Sequence, residues 1–92
     1  MIESFRHKGL KRLYDEDNVR GVQAEHADKL RNILARLDAA SNAEDMDIPG
    51  FRLHALKGRF AGFWAVTVRA NWRVIFRFRA GNAQDLDYLD YH

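Results

Sequence analysis

Residues 63–79, FWAVTVRANWRVIFRFR, decide how the rest of the chain is read. Residues 63–69 and 72–79 alternate in the period of two that sends successive side chains to opposite faces of a sheet. Only Ala70-Asn71 separates the two runs, so they form a β-hairpin, and Asn tolerates the positive φ that such a turn needs. Along the second strand Trp72, Val74, Phe76 and Phe78 point one way, while Arg73, Ile75, Arg77 and Arg79 point the other. One row needs a covering layer; the other carries guanidinium groups.

The flanking segments supply that layer and extend the sheet. Gly81-Asn82 offers the next turn and 84–89 reads as a last strand; 51–56 reads as a short strand before the hairpin. Upstream the period becomes helical. Ala27, Leu30, Leu34 and Leu37, widened by Ile33 and Ala40, make an apolar stripe over 24–40, with Glu25, Lys29, Arg36 and Asp38 on other faces. Leu10, Leu13 and Tyr14 mark a shorter helix, preceded by a strand at 2–5 and followed by the polar segment 15–21. Ser41 and Glu44, at capping-box spacing, start one more helical turn, which Pro49-Gly50 ends. The expectation is an α+β fold with two helices from the N-terminal half on one face of a mainly antiparallel sheet, and one domain over 1–92.

Composition narrows the chemistry. The absence of cysteine excludes disulfides and thiolate metal sites, and four histidines without ligand spacing predict no metal cofactor. No run is long and apolar enough for a bilayer and no leader pattern opens the chain, so a cytoplasmic protein with no membrane partner is expected. The net charge of +2 hides a strong asymmetry. From Ile48 to Gln84 there are seven basic residues (Arg52, Lys57, Arg59, Arg69, Arg73, Arg77, Arg79) and no acid. Such a surface fits a polyanion partner, since Lys and Arg gain both attraction and counterion release from phosphates; a solvated sheet face has the same composition.

Cleaving RNA without a metal requires a proton to leave the 2′-hydroxyl, another to reach the departing 5′-oxygen, and stabilisation of the phosphorane charge. His54, at the end of a strand in HALKG, and His92, after Asp90 and Tyr91, are the imidazoles placed for such work; Lys57 and Arg73 can hold phosphate oxygens and Tyr91 can stack on a base. Each also has a structural or merely solvated alternative, and His7 and His26, in charged helical contexts, read as solvated surface groups. Neither a serine-nucleophile arrangement nor a Gly-rich phosphate loop is present.

LHALKG (53–58), GFWAVTVRANWRVIFRF (62–78) and the ending DYLDYH (87–92), with the opening MIESFRHKGLKRLY, closely resemble the HigB toxins, the plasmid-maintenance killer branch of the RelE/ParE superfamily. The resemblance covers nearly the whole chain. It implies the RelE-like microbial ribonuclease fold and a metal-independent endoribonuclease that enters the ribosomal A site and cuts mRNA there. It also implies a helix-turn-helix, HigA-like antitoxin, through which alone the toxin meets operator DNA. Carried over, the catalytic positions are His54, Asp90, Tyr91 and His92, with Lys57 and Arg73 binding the phosphate. His92 or Asp90 would handle the 2′-hydroxyl proton and His54 the phosphate, and the two histidines can exchange roles. The ribosome is expected to align the mRNA, leaving free RNA a poor substrate.

Two alternatives share these features. A ParE-like gyrase inhibitor of the same fold needs no His54, Asp90-Tyr91-His92 cluster, and a non-catalytic RNA- or ribosome-binding module would tolerate loss of His92.

Overall fold

The computed structural model describes residues 1–91. Among these, α1 (Lys8–Glu16) and α2 (Ala27–Ala39) pack on one face of a four-stranded antiparallel sheet. Its strands, β1 (His54–Ala55), β2 (Trp64–Arg69), β3 (Trp72–Arg79) and β4 (Asn82–Asp90), lie side by side in chain order. This is the expected α+β architecture, and it follows from the two periods. Val66, Val68, Val74, Phe76, Leu86 and Tyr88 share the face that meets Leu10, Leu13, Leu30, Ile33, Leu34 and Leu37 of the helices. Burying a side chain of this size contributes about 1.5–3 kcal/mol, and Phe76, Leu10, Leu30, Ile33 and Leu37 are fully inaccessible.

The turns and strand ends depart from the simple alternation. At the first hairpin the positive φ falls on Ala70 (51°) and not on Asn71; at the second, Ala80 (52°) and Gly81 (80°) both take it, one residue earlier than expected. Asp85 (φ 55°) is the extra residue of a bulge where the β3–β4 register shifts. Ser4 fits this bulge, its hydroxyl accepting from the Asp85 N–H at 2.9 Å. The 2–5 segment consequently runs parallel to β4 through two single bridges, Ile2 to Ala83 and Phe5 to Leu86, instead of forming a continuous strand. The expected strand 51–56 shrinks to His54–Ala55 because Arg52 is left-handed (φ 53°). Ile48–Phe51 closes as a turn with Pro49 and Gly50 (φ 90°) at its centre, and the Phe51 N–H donates to the Ile48 carbonyl at 2.9 Å. The extra helical turn is Ala43–Met46, capped by Asn42, which accepts from the Asp45 N–H at 3.1 Å; the Asp45 carboxylate reaches back to the Ser41 N–H at 2.9 Å.

His26 is not a surface group. It is 4% exposed, its Nδ1 shares a 2.6 Å hydrogen bond with the Tyr88 hydroxyl, and its ring meets Trp72 edge-on. The charged neighbours suggested exposure, but His26 closes the 3-10 turn that leads into α2 and so faces the sheet. Burial pushes the Tyr88 phenol up, a backbone bond from Gln23 opposes this, and Glu25 adds to it. His7 is half-buried and caps α1, its Nδ1 accepting from the Leu10 N–H at 3.1 Å.

Candidate functional site

The face turned away from the helices, the outer face, is laid out by strand register. Residues paired across antiparallel strands share a face. One row therefore runs His54, Ala65, Ile75, Asp87, and the next Thr67, Arg73, Leu89. Its centre is apolar: Leu56, Phe63, Ala65 and Ile75 are buried there, with Phe60, Leu89 and Tyr91 packed against them. The expected row of guanidinium groups is thus interrupted, since Ile75 is fully buried. The cause is the 56–63 connection, which folds back over the sheet through a 3-10 turn at Gly58–Phe60.

Cationic and proton-carrying groups surround this aromatic patch. His54 is exposed and its Nδ1 lies 3.1 Å from the Arg52 carbonyl. A carbonyl only accepts, so Nδ1 holds the hydrogen and the neutral ring presents the lone pair of Nε2 outward. The left-handed Arg52 that shortens β1 is the residue whose carbonyl sets this tautomer. Lys57 is exposed at the entrance to the 3-10 turn. Arg73 is half-buried, its Nη1 donating to the carbonyls of Ala70 (2.6 Å) and Trp72 (3.1 Å) at the hairpin tip. Among the described residues its Nε is buried without a partner, as is the Oγ1 of Thr67 opposite it.

Tyr91 continues β4 by one hydrogen bond, its N–H donating to the Asn71 carbonyl at 2.8 Å, and its ring lies 6.0 Å from that of Phe60. His54, Arg73 and Tyr91 therefore occupy one face, with Lys57 on the connection that covers it. Asp90 is exposed and pairs with Trp72, whose ring lies on the helix side; alternation places the carboxylate on that side of the strand end. His92 lies outside the described residues.

Further contributors escape the reading of the sequence. Phe60 and Phe63 build the aromatic wall, with Arg6 and Arg77 stacked on the Phe63 ring at 4.9 and 5.2 Å. Alternation backward from Ala65 would have placed Phe63 on the outer face; nothing in the sequence marks Arg6. Another is Thr67, whose position opposite Arg73 depends on register. The site is open, and a depression of about 270 Å³ lies farther along β3, lined by Gly62, Arg77, Phe78, Arg79 and Gln84. Among the described residues no group of three His, Asp or Glu side chains is arranged to hold a metal ion.

Comparison with known proteins places the chain in a family. Residues 3–92 match a family described as the RelE-like toxin HigB of type II toxin-antitoxin systems. The chain is 44% identical to the endoribonuclease HigB of Proteus vulgaris over 92 residues, the whole of both chains. It is 33% identical over 94 residues to toxin HigB-1 of Vibrio cholerae serotype O1, covering all of this chain and 98% of that one.

Proposed function

Since this chain belongs to the HigB-like toxins of type II toxin-antitoxin systems, we propose that it is an endoribonuclease that cuts mRNA in the ribosomal A site without a metal. The observation that carries this reading is the open Nε2 of His54, oriented by the Arg52 carbonyl beside an aromatic patch with Arg73 and Lys57 around it. Nε2 takes the 2′-hydroxyl proton, the 2′-oxygen attacks the adjacent phosphorus, and the bond from phosphorus to the 5′-oxygen breaks. An acid, assigned to His92, protonates the leaving 5′-oxygen, giving a 2′,3′-cyclic phosphate and a 5′-hydroxyl. Arg73 and Lys57 hold the phosphate oxygens. Tyr91, against Phe60, stacks on a base. Asp90, on the other side of the strand end, fits a positioning role toward the C-terminal histidine better than proton transfer beside His54.

The apolar patch favours flat bases, and the open face favours a substrate whose geometry is imposed from outside, as mRNA is on the ribosome. The antitoxin partner follows from the family; that it is a helix-turn-helix protein, that it alone brings the toxin to operator DNA, that the chain is one domain and that it works in the cytoplasm are parts of the same proposal. In ribosomes programmed with a defined mRNA and an empty A site, with chelator present, the native chain should cut at the A-site codon. His54→Ala and His92→Ala should each lose about 10²- to 10⁴-fold in rate while still binding the ribosome. Cutting by His54→Ala at the native rate would remove His54 from the chemistry, and no cutting by the native chain would favour a protein target.

A further inference from the structure

We propose that Thr67 is a positioning residue for Arg73, receiving the guanidinium Nε when RNA draws the guanidinium off the hairpin tip. The proposal rests on the nuclease reading of the site and adds to it a residue to which the resemblance gives no role. Thr67 and Arg73 are directly paired on β2 and β3, the last regular pair before the register shifts beyond Thr67. Side chains of such a pair lie about 4.5–5.5 Å apart at Cβ, which is within reach of a hydroxyl and a guanidinium. Both present a buried polar atom with no partner among the described residues, Thr67 Oγ1 and Arg73 Nε.

Two adjacent unsatisfied groups, one an acceptor and the other a donor, are costly when apart and complementary when joined. They stay apart because Nη1 is held by the Ala70 and Trp72 carbonyls. In that setting the guanidinium edge used for a phosphate is partly occupied by backbone. Turning Nε onto Thr67 Oγ1 frees Nη1 and leaves Nη1 and Nη2 side by side, the fork that matches two phosphate oxygens. Phosphate then replaces the two carbonyls as acceptor, and Thr67 satisfies the nitrogen that the free protein leaves unpaired.

The test compares the native chain with Thr67→Val and Thr67→Ser in binding a short 2′-O-methylated single-stranded RNA, which is bound but not cut, as salt is varied. Thr67→Val should flatten the dependence of log affinity on log salt by about 0.7, the value of one phosphate on a single strand, and Thr67→Ser should restore it. Thr67→Val should also melt no lower than the native chain, because it removes a buried hydroxyl that has no partner. In programmed ribosomes its cleavage should fall about ten- to hundredfold, the loss expected of one hydrogen bond to a charged group.

A native slope in Thr67→Val overturns the proposal, and so does an equal loss in Thr67→Ser, which would mark a packing effect. Absence of salt-dependent binding by the native chain overturns it as well. Expected slopes with no cutting by the native chain would leave the positioning of Arg73 standing and remove the nuclease reading alone.

Discussion

At His7 one nitrogen serves both a helix cap and a proton equilibrium. Its Nδ1 accepts from the Leu10 N–H at 3.1 Å, and its ring lies edge-on to Tyr88 with centroids 5.2 Å apart. Burial holds its pKa below the ordinary value of about 6.5, and the Asp87 charge partly opposes this. Protonation would also remove the lone pair that caps the helix. The unfolded chain takes up the proton at the ordinary value while the folded chain resists it. Stability from this group is therefore fully present above about pH 6.5, declines as pH falls, and is lost once pH passes below the lowered folded value. Asparagine is among the best N-caps, so His7→Asn should keep native stability within about 1 kcal/mol at pH above about 7 and show a flatter fall between about pH 7 and 5. Thermal melts across that range decide it: an unchanged pH dependence in the variant would assign the titration to another group.

Between elements, α1 and the segment after it meet through two glycines. A Cβ on Gly9 would stand far inside van der Waals distance of the Gly21 carbonyl oxygen, and one on Gly21 would press as hard on the Gly9 Cα. Replacing a glycine inside a helix by alanine ordinarily stabilises it by about 1 kcal/mol. Here the nearest atoms are backbone, which cannot swing aside as a side-chain end can, so Gly9→Ala should destabilise by about 1–3 kcal/mol, the range of overpacking. A denaturant midpoint equal to or above the native one would show that the two segments separate easily. The same approach marks where the sequence stops being informative. The helix stripe Leu30, Ile33, Leu34, Leu37 and the strands of 63–79 are legible because each side chain's face follows from its own element's period. The Gly9–Gly21 approach, the burial of His26 against Tyr88 and the meeting of Tyr91 with Phe60 depend on how separate elements dock, which no local period encodes. That limit also divides the site. His54 and Arg73 can be named as candidates from residue type and motif, but the tautomer set by Arg52, the side of β4 taken by Asp90 and the pairing of Thr67 with Arg73 require φ angles and register.

Over the whole molecule, charge segregation becomes a matter of distance. The protein measures 29 × 28 × 26 Å, about three times the screening length of ~8 Å at physiological salt. Under those conditions RNA on the outer face responds to the arginines there and little to charges on the helix side. At low salt, where the screening length approaches ~30 Å, the whole net charge acts. Two variants with equal reduction of charge separate these regimes. Arg59→Gln with Arg79→Gln removes two exposed cations from the outer-face side, Arg59 being the one that stacks over the Phe60 ring; Lys8→Gln with Arg36→Gln removes two exposed cations from the helices. Affinity for single-stranded RNA should fall at physiological salt only in the first pair, with the salt dependence flattened by about 0.7 for each phosphate no longer neutralised. At low salt both pairs should weaken binding. In cleavage on programmed ribosomes the first pair should raise KM and leave kcat near native, because these arginines attract the substrate without touching the reacting phosphate. Equal weakening by the two pairs at physiological salt would mean that net charge alone recruits RNA, and the concentration of basic residues on one side of the sheet would then have no part in binding.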